Sequence, residues 1–522
     1  MADTLRTRLP ESASCAALGR PASSQSVPEW LSHRARLSPE RPAIFCDNDC
    51  LTFADLDRLV AATARGLAAT GVRGGDRVAL LARNGIDFVR VVHAVTRLGA
   101  AIVPLHARWS AIELARVVRD CGATLLAHDD ANATTAASMA DLVPATQRVP
   151  ITTLAEQHGG GRDEGFGPHL ECMNLSRVHS VVYTSGTSGT PKGTVLTYGN
   201  HLWNAMGSAL NLGLRDDDRW LACLPLYHVG GLAILLRGVV YGIPVVLHER
   251  FEPAAVNRDI DEKGITIISV VSAMLVRMLE ERQESHPYPP SLRCVLVGGG
   301  PVPHPLLDAC ARRSVPVAQT YGLTEAASQV TTLPPGDALG HPGSAGKQLF
   351  FAEVRIAGKD GDALPPGELG EILVRGPTVT PGYLDLPQET EAALRGGWLH
   401  TGDIGYLDAE GYLYVRDRRD DVIVSGGENV YAAEVEEVLC SHPAVKEAGV
   451  TGVPDTLWGE RVVATVSLRD GVHVSEADLI SFCRSRLAPY KIPRRVRFAG
   501  ALPRNAAGKL LRRALREEHQ RS

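Results

Sequence analysis

The 522-residue sequence predicts an α/β protein. A large N-terminal domain of parallel and mixed sheets covered by helices should carry a β-rich subdomain, followed by a small, mobile α+β C-terminal domain. Three observations lead there. From Val27 to about Ala345, short apolar runs alternate with amphipathic stretches of helical period, as expected for parallel strands buried on both faces by helices. Beyond Ala345 the strand-like runs shorten and are punctuated by Gly and Pro. A run of charges, Asp417-Arg418-Arg419-Asp420-Asp421, then sets off a compact terminal stretch of about a hundred residues.

Taken in order, residues 1–26 are rich in Ser, Ala and Arg without a signal-type apolar core, and are expected to form a disordered tail. Asp3 and Glu11 argue against a transit peptide. Leu51-Thr52-Phe53 leads into a helix over Ala54–Thr70, with Leu56, Leu59, Val60, Ala64 and Leu67 on one face. Strands are expected at Arg77–Leu81, Ala101–Leu105, Thr124–Ala127, Ile243–His248, Ile265–Val271, Arg293–Val297 and Val315–Thr320. Helices should fill Ile86–Leu98, Ala273–Arg282 and Pro305–Arg313. Glu353–Ile356, Gly370–Arg375 and Tyr412–Val415 are the short strands of the subdomain. The boundaries that follow are a large domain over 27–419 and a small one over 420–522, hinged at Asp420.

Composition narrows the function. The 44% hydrophobic and 22% charged content is that of a globular chain with a large core, and a net charge of −5 gives no basis for binding nucleic acid or an anionic membrane. No apolar run reaches the ~18 residues of a membrane span. Ten cysteines without a CxxC pair read as reduced thiols, so a cytoplasmic location is expected.

The densest chemistry lies in Thr184–Gly193, TSGTSGTPKG, directly after the apolar run Val181-Val182-Tyr183. Gly186, Gly189 and Gly193 let backbone N–H groups approach an anion, Thr184, Ser185, Thr187 and Ser188 add hydroxyl donors, and Lys192 adds charge. Such a loop suits a polyphosphate. The Walker A spacing fails, because Gly193 follows Lys192. Tyr321-Gly322-Leu323-Thr324-Glu325 places a hydroxyl and a carboxylate where a sheet edge opens into a crevice. Asp403 follows a glycine turn, His400-Thr401-Gly402, and suits ribose hydroxyls. Gly426 and Gly427 form a second Gly-rich loop within Ser425–Asn429, and Lys509 ends a polar turn that begins at Pro503.

In this order the motifs resemble the adenylate-forming superfamily of acyl-CoA synthetases, luciferases and peptide-synthetase adenylation domains, from about Trp30 to Arg513. The resemblance implies that the Thr184–Gly193 loop closes on the β- and γ-phosphates of ATP, that Thr324 meets the α-phosphate and that Glu325 binds Mg²⁺. It implies that Gly298, Gly299, Gly300 and Pro301 flank adenine and the acyl pocket, with Asp403 and Arg418 on the ribose. Lys509 would contact the substrate carboxylate. Rotation at Asp420 would then withdraw Lys509 and bring Gly426 and Gly427 to a pantetheine tunnel for coenzyme A. Lys491 is either a contact to CoA phosphates or an exposed lysine.

The acyl pocket is expected around Leu226–Leu232 and the helix after Thr197, with His228 either gating it or serving as a hydrogen-bonded core histidine. No acidic residue lies between Leu224 and Leu236, which disfavours an amino-acid substrate. Within the superfamily the chain is most similar to o-succinylbenzoate–CoA ligases of menaquinone biosynthesis, through Tyr198–His201, Asn211–Leu214, Leu292–Pro301, Gln319–Gln329 and Ile423–Tyr431. Such an acid carries a second carboxylate, for which Ser328, Gln329, Arg237 and Arg277 are candidates. Gly230 and Ala326-Ala327 depart from hydroxyl residues common at these positions in related ligases. A medium-chain fatty or aromatic acid is the alternative substrate, and a non-catalytic nucleotide-binding relative is the alternative of another class. The partners implied are small molecules, with a homo-oligomer left open.

Overall fold

The computed structural model describes residues 26–521 apart from 48, 157–170, 185–190, 301, 339, 359, 419–420, 422, 426–427, 456–458, 485, 488, 505–507 and 509. The side chains of 155–156, 417–418, 424, 428–429 and 459 also fall outside the description. Of the expected tail only Ser26 is described, and it opens the strand Ser26–Pro28, antiparallel to Cys172–Asn174.

Two large sheets dominate. Across the nine-stranded sheet the order is Lys347–Gln348, Ser328–Leu333, Val317–Leu323, Cys294–Val297, Ile267–Val270, Trp220–Ala222, Val245–Leu247, Pro42–Cys46 and Asp49–Thr52. The run from Val317–Leu323 to Pro42–Cys46 is parallel, and each flank is antiparallel. The seven-stranded sheet contains Arg77–Leu81, Ala101–Pro104 and the hairpin of Val178–Thr184 with Lys192–Thr197. Core strands such as Arg77–Leu81 and Cys294–Val297 are buried along nearly their whole length, because helices cover both faces. The helix Phe53–Ala69 begins in a capping box, Thr52 with Asp55, and buries Leu56, Val60, Ala64 and Leu67.

The β-rich subdomain is a five-stranded antiparallel sheet that includes Glu353–Ala357, Gly370–Arg375, Trp398–Leu407 and Leu413–Arg418. The small α+β unit has its own five-stranded sheet, centred on Gly459–Leu468, with helices Ala432–Cys440, Glu476–Arg484 and Arg512–Gln520. Val435, Leu439, Val462, Ala464 and Leu479 form its separate core.

Two expectations need correction. The strand expected to end at Thr320 runs on through Tyr321-Gly322-Leu323, because it pairs antiparallel with Ser328–Leu333. Thr324–Ala326 is therefore the turn of a hairpin. Likewise His400–Asp403 is a bulge inside the strand Trp398–Leu407: Leu373 pairs with His400 and Glu371 with Ile404, leaving Thr401, Gly402 and Asp403 opposite Ile372. Gly402 has φ of +71°, which glycine adopts without a Cβ penalty.

Behind the hairpin at Thr184 lies a buried histidine cluster. His179 contacts the Thr96 hydroxyl at 3.1 Å and His201 the Ser180 hydroxyl at 2.9 Å, with the two rings 4.7 Å apart. Burial lowers the pKa of His93 to about 4 and of His201 to about 3, and holds His179 well below 6.5. All three are neutral when folded and gain protons on unfolding below about pH 6.5, so acid favours the unfolded chain. Stability should be flat above neutrality and fall as pH drops from 6.5 towards 5, by up to about 1.4 kcal/mol per pH unit for each histidine. Urea midpoints across that window check this, and His201→Asn should make the slope shallower.

Candidate active site

The crevice lies at the carboxyl ends of the parallel strands, where the two large sheets and the antiparallel sheet meet. At one end of it, Lys192 pairs with Thr184 where the Gly-rich segment begins and ends. Ser185, Gly186, Thr187, Ser188 and Gly189 lie outside the described residues. Gly193 is needed next to Lys192, since a Cβ there would meet Val181 Cγ1 at 2.9 Å and the Tyr183 ring at 3.0 Å.

Lys192 and Glu325 are linked by a residue that the motifs do not reveal. Tyr383 sits on a two-residue strand paired with Thr194 and Val195. Its ring lies 5.5 Å from Lys192 Nζ, and its hydroxyl donates to Glu325 Oε1 at 2.9 Å. The backbone of Thr380 donates to the Glu325 carbonyl at 2.7 Å, while its hydroxyl contacts the Val195 carbonyl at 2.5 Å. Thr324 and Glu325 are thereby fastened to the strand that carries Lys192. The only hint in the sequence is Gly382-Tyr383 after Pro381, with nothing to connect it to Glu325.

The hairpin turn is also braced from behind. Gly322 lets the strands cross closely, as a Cβ would sit 1.9 Å from the Ser328 carbonyl oxygen. Ala327 and Ser328 take φ of +57° and +125°, strained for residues other than glycine. Asn204 donates to the carbonyls of Ala326 and Gln329 at 3.1 and 2.8 Å, and Arg237 donates to Asn204 Oδ1 at 2.7 Å. Arg237 is 2% exposed and lies 5.5 Å from the Trp220 ring, and burial lowers its pKa. Among the candidates for the second substrate carboxylate, Arg237 thus lies beneath the turn, tied to Asn204, and is as buried as Gln329. Arg277 is exposed and stacks on Phe251 at 5.2 Å. Ser328 and Gln329 stay on the hairpin itself.

Farther along, the Tyr321 hydroxyl donates to buried Asp403 Oδ2 at 2.7 Å. The bulge aims this carboxylate: Thr401 bonds the Ile372 carbonyl, Asp403 N–H donates to Thr401 Oγ1 at 3.0 Å, and Gly402 N–H to Glu371 Oε1 at 3.2 Å. Arg418 is the strand partner of Asp403, its side chain outside the description. Gly298 presses on Thr320, Gly299 has φ of +81°, and a Cβ on Gly300 would meet nothing within 4 Å. Backbone thus borders open space there, and Pro301 lies outside the described residues.

At the acyl end, His228 caps the helix Val229–Tyr241 without a side-chain hydrogen bond to it. Its Nε2 is buried and has no partner among the described residues, so it is not a hydrogen-bonded core histidine. Burial, then the nearby His106, lowers its pKa to about 4. His106, stacked on Trp109 at 5.1 Å, lies 5.6 Å from His228 and 4.5 Å from Tyr227. No motif announces this aromatic group, because His106 and Trp109 come from the loop after Ala101–Pro104.

The small domain reaches into the same crevice. Gly508, with φ of +78°, faces Val271, so that a Cβ would stand 3.0 Å from Val271 Cγ2; a Cβ on Gly299 would stand 3.4 Å from Cγ1 of the same valine. Lys509, Asp420, Gly426 and Gly427 lie outside the described residues. Lys491 is not an exposed lysine: Glu434 holds its Nζ at 2.7 and 2.8 Å.

No three His, Cys, Asp or Glu side chains among the described residues cluster as a metal site. A single carboxylate, Glu325, beside a phosphate loop fits Mg²⁺ arriving with a polyphosphate, since Mg²⁺ keeps most of its waters and needs one or two protein carboxylates. Tyr383→Phe should free Glu325 and raise the Mg·ATP concentration for half-saturation about tenfold, the worth of one hydrogen bond to a charged group. Calorimetric titration with Mg·ATP and circular dichroism separate this from a loss of fold.

Comparison with known proteins agrees with this arrangement. The AMP-binding enzyme profile matches residues 31–384, and that of the AMP-binding enzyme C-terminal domain matches residues 434–509. A 2-succinylbenzoate–CoA ligase of Geobacillus kaustophilus is 49% identical over 493 residues, 94% of this chain and 98% of the relative. The o-succinylbenzoate CoA synthetase of Bacillus subtilis, solved with the acyl-adenylate intermediate OSB-AMP, is 43% identical with a TM-score of 0.87, covering 94% of this chain and 98% of that one. The same enzyme with ATP and a magnesium ion also gives 0.87 at 43% identity, covering 94% and 99%. On these matches, the chain belongs to the AMP-binding enzyme family of adenylate-forming ligases.

Proposed function

We propose that the chain is the ATP-dependent, AMP-forming ligase that joins o-succinylbenzoate to coenzyme A. The observation that carries the mechanism is the seat of Gly508 on Val271, beside Gly299. It puts Gly508, the residue before Lys509, against Val271 at the end of a strand of the large sheet, which supports a role for Lys509 in the crevice with Thr324, Glu325 and Asp403.

Attack of a carboxylate on the α-phosphate of ATP brings like charges together, so the site must supply cations and donors where charge accumulates. Lys192 and the loop that it closes hold the β- and γ-phosphates, which leave as pyrophosphate. Thr324 donates to the α-phosphate. Glu325, oriented by Tyr383, holds Mg²⁺, which when bound neutralises phosphate charge. Asp403 and Arg418 hold the ribose, Gly299, Gly300 and Pro301 border the adenine, and Lys509 pairs with the substrate carboxylate. The small domain, residues 420–522, then turns about Asp420 relative to residues 27–419. Lys509 leaves, and Gly426 and Gly427 line the route by which the CoA thiol reaches the acyl-adenylate and displaces AMP.

The identity of the acid rests on the relatives named above and on the neutral lining between Leu224 and Leu236. Ser328 and Gln329, at the braced hairpin, are the groups that we assign to the second carboxylate. His228, neutral and without a polar partner among the described residues, borders the acyl space as a gate and not as a base. No helix among the described residues is long and apolar enough to cross a membrane. The described cysteines are free thiols, which suits our assignment of the chain to the reducing cytoplasm.

CoA-dependent AMP release over a panel of acids tests the substrate. Turnover of o-succinylbenzoate should exceed that of medium-chain fatty and aromatic monocarboxylates; robust turnover of a fatty acid alone would overturn the assignment. Lys509→Ala should abolish acid-dependent pyrophosphate exchange while ATP still binds. Unchanged exchange would remove Lys509 from the mechanism, and no turnover of any acid by the wild type would favour a nucleotide-binding protein without catalysis.

A further inference from the structure

The described residues that flank 505–507 and 509 are held by a backbone bridge and side-chain bonds. Arg504 and Leu510 form an isolated antiparallel bridge across this stretch. Arg504 Nη1 donates to the Gly508 carbonyl at 2.7 Å, and Nη2 pairs with Glu447 at 2.7 Å. Leu510 and Leu515 pack into the space left by Gly449, where a Cβ would stand 2.6 Å from Leu515. Arg512 opens the last helix, three residues beyond Lys509. Its Nε and Nη2 grip both oxygens of Glu436 at 3.2 and 2.8 Å, and its Nη1 donates to Asp421 Oδ2 at 3.2 Å. Glu436 is fixed in turn by the Val450 N–H at 2.8 Å. The three side chains are 13–26% exposed, shielded enough for the geometry to persist.

Asp421 is the residue directly after Asp420. Arg512 therefore joins the start of the small domain to its end, a separation of 91 positions that includes the domain's own core. A carboxylate pair bound by one planar guanidinium fixes direction as well as distance, which a lysine ammonium does not. We propose that Arg512 is a positioning residue for adenylation: it locks the exit of the hinge to the Lys509 turn, so that rotation at Asp420 delivers Lys509 to the substrate carboxylate as part of a rigid body. The inference rests on the ligase reading and on the hinge at Asp420. It predicts that loosening this lock harms the half-reaction that uses Lys509 and spares the one from which Lys509 has withdrawn.

The test uses the full-length enzyme with o-succinylbenzoate. Adenylation is followed by ATP–pyrophosphate exchange, and thioester formation by single-turnover reaction of pre-formed o-succinylbenzoyl-adenylate with CoA. Arg512→Gln should lower kcat for exchange about tenfold or more, with KM for ATP and acid held within about threefold. Thioester formation from the adenylate should stay within about threefold of wild type. Arg512→Lys should recover only part of the loss, and Asp421→Asn, which keeps the Glu436 grip, should give a smaller loss of the same kind. Equal loss in both half-reactions, with a lowered melting temperature, would make Arg512 a structural brace and overturn the proposal. Unimpaired exchange in Arg512→Gln would overturn it as well. A wild-type enzyme inactive in both assays would defeat the ligase reading instead, and Asp421→Asn losing as much as Arg512→Gln would leave Glu436 without a part and overturn the two-point lock.

Discussion

The active crevice depends on a few side-chain bonds that tie separate sheets together. Tyr321 belongs to the nine-stranded sheet and Asp403 to the antiparallel sheet, and one hydrogen bond of 2.7 Å joins them. Tyr383 performs the same task between the seven-stranded sheet and the turn carrying Glu325. Backbone ladders end at the edges of their own sheets and do not register one sheet against another. Buried polar bonds do so because they lose much of their worth when the partners drift apart.

Behind these ties lies an unusual foundation. Arg237 is buried without a carboxylate partner among the described residues, and it braces Asn204, which in turn holds two carbonyls of the hairpin. Placing a cation there is costly in isolation, yet hydrogen bonding and the Trp220 face offset part of the desolvation. The two left-handed residues after the turn, Ala327 and Ser328, need such a brace, because their backbone strain would otherwise relax the hairpin.

How much of this was legible beforehand depended on how local the signal was. The alternation of strands and helices was read within a residue or two at Arg77–Leu81, Ile86–Arg97 and Cys294–Val297, where period and burial agree. Lys192, Glu325 and Asp403 stood out in the sequence by residue type and spacing, and the structure links Lys192 to Glu325 through Tyr383 and Asp403 to Tyr321. What escaped was set by long-range pairing. Tyr321-Gly322-Leu323 is strand only because Ser328–Leu333 pairs with it, and Gly402, which reads as a turn, became a bulge because the Gly370–Arg375 strand continues past it. Tyr383, Asn204, His106 and Trp109 come from distant segments, and the bond from Arg237 to Asn204 beneath the hairpin turn has no signature in the sequence.

Under the proposed alternation of the small domain, its seat on Val271 has an entropic consequence. Because residue 508 is glycine, closing the crevice at this point freezes no rotamer of its own, and opening releases none. A long side chain there would surrender its freedom at every adenylation and regain it at every thioester step. A bare backbone resting on a β-branched valine, whose own χ1 is already restricted, lets the domain come and go with little ordering on either side.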